Sequence, residues 1–251
     1  MLDHTSITQI EEDFELTDFQ RMQLEKNIDQ SFKKIRKERF RDIARTLRNI
    51  DGRVMNSQAD SFAYALQELS REYRIGRRYF KALAIQLDGQ ISPQQFSAFL
   101  RNSMKNSDHN LDLAVHEAEF SSRDLTRKYE EFMQYLLGNI TIAQRRAILD
   151  FNRITPFPWM ENAKNEIFIL QQYARSHESK GKAKKFVAKY FNDYDQLCLK
   201  SYLSQRRQYE RKLQKFLYGF WYTLTTKQIG FIQKLLIDRA SQLERFAKSE
   251  P

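Results

Sequence analysis

His109, Asp112 and His116 stand three and seven residues apart, so a helix through them would carry two imidazoles and a carboxylate on one face. Such a donor set suits Zn²⁺ or Cu²⁺ and would make the chain a metal-dependent helical enzyme. The same spacing also describes a polar outer face beside Leu111 and Val115, and two helical histidines with an aspartate arise easily by accident. Cys198 is the single cysteine, which excludes an intramolecular disulfide framework and any multi-thiolate metal site. It lies on an apolar-periodic stretch with Tyr202 and Tyr209 and reads as a small core residue rather than a nucleophile. The chain contains no P-loop, no glycine-rich dinucleotide turn, no HExxH and no nucleophile elbow. The expectation is therefore a protein without a catalytic centre, a metal ion or a cofactor.

Charge is more informative. The chain has 251 residues with Lys+Arg 42 against Asp+Glu 32, a formal net charge of +10, which favours anionic partners. Lys34, Lys37, Arg41 and Arg45 line one side of the first long basic segment, and Arg74 and Arg78 recur beside the next. Tyrosine and phenylalanine are interleaved with these charges, as nucleic-acid binding through phosphate contact and stacking would require. A compact recognition helix or a basic fork is absent, and acidic residues such as Glu38, Asp42, Glu68 and Glu72 are mixed in. The same stripes fit a basic surface for acidic or unfolded protein segments, or contact with anionic lipid headgroups.

One pattern recurs four times: Leu16-Thr17-Asp18-Phe19-Gln20, Ile91-Ser92-Pro93-Gln94-Gln95, Ile140-Thr141-Ile142-Ala143-Gln144 and Leu224-Thr225-Thr226-Lys227-Gln228. The residue frequencies predict about 0.4 such matches by chance, so the repeat needs a physical cause. A hydroxyl at the N-cap accepts the backbone N–H three residues on, and Gln at that third position reaches back to the N-cap N–H. Each copy predicts a helix start. Ile91 with Phe96 and Leu224 with Ile229 stand where a hydrophobic staple would close, whereas Arg21 and Arg145 place a cation at the helix start in the other two copies.

The constant Gln at the third position, always with Leu or Ile before the hydroxyl, resembles the LTxxQ motif of the Spy and CpxP group of bacterial periplasmic stress proteins. That likeness implies an all-helical, cradle-shaped chaperone with a basic, partly apolar surface for unfolded clients, in which the motif residues shape turns. This chain has four copies and nearly twice the length expected of that group. A second likeness runs through Asp13 to Gln20 with the basic helix that follows, and through Phe132 to Leu149. These stretches resemble an uncharacterised family of proteobacterial lipoproteins. It implies a periplasmic, outer-membrane-tethered protein whose signal and acylated cysteine belong upstream of this chain.

The elements that must position these residues are helices. Seven Gly and four Pro are too few for a turn-rich sheet fold. Phe62, Leu66, Leu69, Tyr73, Gly76, Phe80, Leu83 and Leu87 form one heptad-like seam, and Leu111, Val115, Ala118, Ser122, Leu125, Tyr129, Phe132 and Leu136 a second, closing at Gly138 as a helix C′ residue. Breaks are predicted at Asp51-Gly52, Gly89, Asn106-Ser107, Gly138-Asn139, Thr155 to Pro158, His177 to Gly181 and Gly219 to Thr225. The prediction is an all-α, elongated bundle of about seven to eight helices, several long and antiparallel. The prolines at 156 and 158 divide it into lobes 1–154 and 159–251, or leave one continuous domain. The function that follows is non-enzymatic binding of protein clients or of an envelope protein partner, with nucleic acid less favoured.

Overall fold

The computed structural model describes residues 10–116 and 118–248, leaving aside the side chains of 116, 118–122 and 180. Among the described residues a helical stretch at 10–14 is followed by ten α-helices and one 3-10 turn: α1 (Asp18–Met55), α2 (Ser61–Tyr79), α3 (Lys81–Asp88), α4 (Pro93–His116), α5 (Ala118–Leu137), α6 (Ile142–Ile154), α7 (Trp159–Ser176), α8 (Lys180–Asn192), the turn Tyr194–Leu197, α9 (Lys200–Trp221) and α10 (Thr226–Lys248). No strand occurs among the described residues, as the composition requires. The helices outnumber the seven or eight predicted. The seam from Ser57 to Leu87 is cut at Phe80, whose backbone (φ −88°, ψ −5°) separates α2 from α3 and whose ring edge meets Phe32 at 5.6 Å. The apolar-periodic stretch through Cys198, Tyr202 and Tyr209 becomes an α-helix only at Lys200, after the 3-10 turn.

Two predicted breaks are absent. Asn106 and Ser107 lie inside α4, and Asp51 and Gly52 lie inside α1. Asn, Ser and Asp each cost only a few tenths of a kcal/mol in a helix and Gly about 1, and burial of apolar residues on the same helices, Ile50 and Val54 on α1 and Ala98 on α4, outweighs that propensity. The chain leaves α1 three residues past its last helical residue Met55 by passing through a left-handed Ser57 (φ 51°) at the second of them. The Gly138 prediction holds: its φ is +73°, and its N–H closes α5 by donating to the Gln134 carbonyl at 2.8 Å.

Chain contacts divide the molecule into two compact units, each assembled from three separated segments. Unit 1 takes Met1–Lys34, Arg74–His116 and Trp159–Leu203; unit 2 takes Ile35–Tyr73, Glu117–Pro158 and Ser204–Pro251. The units are thus interleaved along the chain and do not follow the consecutive lobes 1–154 and 159–251. The proline turn does fall at one boundary, between 158 and 159, but α1, α2 and α9 also pass from one unit to the other in mid-helix. Nothing in local composition marks a crossing inside a continuous helix.

Unit 2 is built on a cluster in which Val54 of α1, Phe62 of α2, Met133 and Leu137 of α5, Ile148 of α6, Trp221 of α9 and Ile232 of α10 are buried together. Phe62 meets Trp221 edge to face at 5.5 Å, a geometry that adds to burial by about 0.5–1.5 kcal/mol. Unit 1 has a smaller buried cluster of Ile169, Leu197, Cys198 and Tyr202, ringed by Phe186, Tyr190 and Tyr194. Its polar anchor is Asn165, fully buried on α7, whose Oδ1 accepts the Leu199 N–H at 2.8 Å at the entry to α9.

At Gly138 a Cβ would come within 2.9 Å of the Phe231 ring, and the left-handed backbone disfavours any L side chain. Phe231 is partly exposed and can swing away, so the backbone dominates. Gly138→Ala should lower stability by about 1–2 kcal/mol in a chemical unfolding curve; an unchanged midpoint would contradict this account.

Candidate functional site

All four motif copies open helices: Thr17 precedes α1, Ser92 precedes α4, Thr141 precedes α6 and Thr225 precedes α10. In each, the hydroxyl accepts the Gln backbone N–H (3.3, 3.2, 3.1 and 3.2 Å), and the Gln Oε1 accepts the N-cap N–H at 2.9 Å. These are the predicted capping boxes. The cations that follow are compensated, since Arg21 pairs with Asp18 at 2.9 Å and Arg145 with Glu130 at 2.8 Å.

The copies also meet in pairs. In unit 1 Gln20 Nε2 donates to Gln95 Oε1 at 3.2 Å and Gln95 Nε2 donates back to Gln20 Oε1 at 2.8 Å. The unit 2 pair does the same: Gln144 Nε2 donates to Gln228 Oε1 at 3.1 Å and Gln228 Nε2 to Gln144 Oε1 at 2.9 Å. The second amide hydrogen goes each time to the carbonyl two residues before the partner's N-cap. Gln20 reaches the Gln90 carbonyl (3.0 Å), Gln95 the Glu15 carbonyl (3.0 Å), Gln144 the Thr223 carbonyl (3.0 Å) and Gln228 the Asn139 carbonyl (2.6 Å). Every amide thus accepts at least twice and donates at least twice, and each pair ties two helix starts together. Glutamate could accept the N-cap N–H but has no hydrogens to give, and two carboxylates would face each other. This explains the constant Gln.

Burial ranks the two junctions. Gln144 is 1% exposed and Gln228 5%, while Gln20 and Gln95 are half-buried. The motif's apolar residues follow suit. Ile140 and Leu224 pack on the unit 2 core with Ile229, which supports the predicted staple at that copy. Phe96 instead stacks on His177, with ring centroids 3.6 Å apart.

In unit 2 Phe62 of the first predicted seam and Tyr129 and Leu136 of the second join one core cluster, while other residues of both seams are exposed. Leu66 and Leu69 of α2 and Phe132 of α5 were expected to pack, yet Leu69 is 43% exposed and Phe132 53%. They line an open apolar groove of about 110 Å³ whose other walls include Met133, Leu136, Leu217 and Ile232. Ile232 and Leu236 also belong to α10, so the helix that Thr225 and Gln228 start supplies part of the groove wall. Tyr73, from the same seam, is 69% exposed. A seam residue's exposure depends on what packs opposite it, so periodicity alone does not show the opening. Ala118 and Ser122 of the second seam lie outside the described side chains.

The basic residues are placed separately in each unit. Lys34, Arg74 and Arg78 are exposed in unit 1, and Lys37, Arg41 and Arg45 are exposed in unit 2. Lys34 lies over the Tyr79 ring at 5.9 Å and Arg45 pairs with Asp42 at 3.2 Å. Further along α1, Arg48 makes two 2.9 Å bonds to Glu244, which holds the Glu244 carboxyl below its usual range. His109 and Asp112 lie exposed on α4, and the His116 side chain is outside the described residues. Among the described residues no group of three metal-ligating side chains comes together. Cys198 is buried, as predicted, with its thiol donating to the Tyr194 carbonyl at 3.4 Å.

Compared with protein-family models, curated proteins and solved structures, the chain finds no match in any of the three. The likeness to LTxxQ proteins rests on the motif residues themselves.

Replacing Gln144 by Glu removes two donors inside a buried junction and sets a carboxylate against the Gln228 and Thr223 oxygens. Gln144→Glu should cost about 2–4 kcal/mol at neutral pH, and Gln20→Glu, where water reaches the junction, about 1 kcal/mol. Because the buried carboxyl would titrate above its usual value, the loss should shrink as pH falls through that raised value. Urea unfolding of both variants at neutral and acid pH checks the order, and equal losses would contradict it.

Proposed function

We propose that this protein is a non-enzymatic helical binding protein that holds apolar segments of other proteins, a chaperone or scaffold role of the kind its motif resemblance implies. The observation that supports the reading is the apolar groove of unit 2, whose lining leaves Leu66, Leu69 and Phe132 exposed to solvent. Exposed contiguous apolar surface has a use in binding, and a shallow groove without converging polar groups selects apolarity rather than one sequence. The net charge of +10 complements it. Long-range attraction gathers clients with acidic flanks, and apolar contact then holds them.

In our reading this activity belongs in the bacterial cell envelope, beside the outer membrane, which the likeness to periplasmic proteins and to lipoproteins supports. No described helix is long and apolar enough to cross a membrane. The exposed basic residues would meet anionic headgroups or an envelope partner.

Light scattering of an acidic, aggregating client such as reduced α-lactalbumin tests the reading. The wild-type chain should suppress aggregation near equimolar ratio. Leu69→Ser with Phe132→Ser, two positions open enough to leave the core intact, should weaken suppression about three-fold or more. Added salt should slow capture and leave the final level of suppression nearly unchanged. A double variant as active as the wild type, or a wild type that leaves aggregation unaffected, would overturn the proposal.

A further inference from the structure

Unit 1 contains a separate cleft of about 600 Å³, within the roughly 300–1,000 Å³ usual for small-molecule sites. Its walls come from α3, α4, α7 and α8 together with the helical residues 10–14. Aromatic side chains dominate them. Phe14 stacks on Phe99 with centroids 4.1 Å apart, Phe99 meets the Tyr173 ring edge at 6.0 Å, and Tyr173 stacks on Phe186 at 5.2 Å. This continuous ring system provides flat apolar surface whose faces carry partial negative charge.

Polar groups gather along one side. Ser103, Asn106 and Asn110 follow one another on a single face of α4, and Glu166 of α7 lines the cleft with them. Glu166 Oε1 accepts from Asn162 Nδ2 at 2.8 Å and Oε2 from Asn110 Nδ2 at 3.5 Å. Both donors are neutral. The other carboxylate of the cleft, Asp88, is already engaged by the Tyr173 hydroxyl at 2.5 Å and His177 Nε2 at 2.8 Å. No Lys or Arg is among the described residues lining the cleft. Arg77 lies over the Tyr190 and Tyr194 rings at 5.0 and 5.4 Å and donates to the Tyr190 carbonyl, outside the lining. The Tyr194 hydroxyl is pushed well up, mainly by burial, then by its neighbours Cys198, Tyr190 and Tyr202, and least by Glu166.

A half-buried carboxylate held by neutral amides, beside aromatic faces and without a lining cation, matches one kind of ligand. We propose that this cleft binds an amphipathic monocation, an ammonium on an alkyl or aryl body, with the head against Glu166 and Asn110 and the body between Phe14, Phe99, Tyr173 and Phe186. An anionic amphiphile of the same length would set its carboxylate against Glu166 and is disfavoured, and a neutral alcohol gains only the apolar part.

Calorimetric titration of the full chain with octylammonium, octanoate and 1-octanol, all kept below their aggregation concentrations, separates these cases. Octylammonium should saturate at one site and bind at least about ten-fold more tightly than octanoate. Glu166→Gln, which keeps the shape and one acceptor oxygen while removing the charge, should reduce octylammonium affinity about ten-fold while leaving 1-octanol unchanged. Ser103→Phe, which fills the cleft from α4, should abolish binding of both, with circular dichroism confirming that each variant remains helical. Octanoate binding as tightly as octylammonium, unchanged octylammonium affinity in Glu166→Gln, or no saturable binding of any probe would overturn the proposal. None of these outcomes bears on the groove of unit 2, which the scattering assay reads independently.

Discussion

Two pairs of glutamine amides, each closing a ring of reciprocal hydrogen bonds between two helix N-termini, are the constraint on which both units depend. A helix start leaves backbone N–H groups unsatisfied, and a loop that enters it leaves carbonyls unsatisfied. Each amide meets both needs: its oxygen serves its own N-cap, and its nitrogen serves the partner's entering loop and the partner's amide. Helix starts 75 residues apart in unit 1, and 84 apart in unit 2, are thereby held in fixed register without a charge or a metal. The buried junction is the stronger device, because water cannot replace a lost partner there.

The junctions explain how interleaved segments form compact units. Unit 1 joins the start of α1 to the start of α4, and unit 2 joins the start of α6 to the start of α10. In unit 2 the apolar residues before each N-cap, Ile140 and Leu224, sit in the core beside the junction, so capping and burial support one another. Setting α10 in this way places Ile232 and Leu236 along the apolar groove while Leu66 and Phe132 stay open to solvent. The groove is in this sense a consequence of where a helix is made to begin.

Local signals were legible in the sequence and tertiary ones were not. The four hydroxyl-and-amide pairs marked helix starts because capping involves residues three apart, and Gly138 marked a helix end because the left-handed C′ position favours glycine. Cys198 fell in the core as its apolar periodicity required. Asn106-Ser107 misled because weak propensity yields to burial, and Phe80 because a single residue can leave helical geometry without glycine or proline. The pairing of the motifs left one trace, Gln in every copy where Glu would cap as well. Its meaning needed the partner loop in view. The openness of Leu69 and Phe132, and the polar edge of the unit 1 cleft, depend on neighbours distant in sequence, so no spacing rule could reveal them.

A double-mutant cycle on Gln144 and Gln228 tests the central claim most directly. If the reciprocal amides hold two helix starts together, Gln144→Ala and Gln228→Ala should each destabilise the chain. The double variant should then lose less than the sum, by a coupling of about 1–3 kcal/mol in denaturant unfolding. Losses that add to within about 0.4 kcal/mol would show that each glutamine merely caps its own helix, and the account of both units would fail.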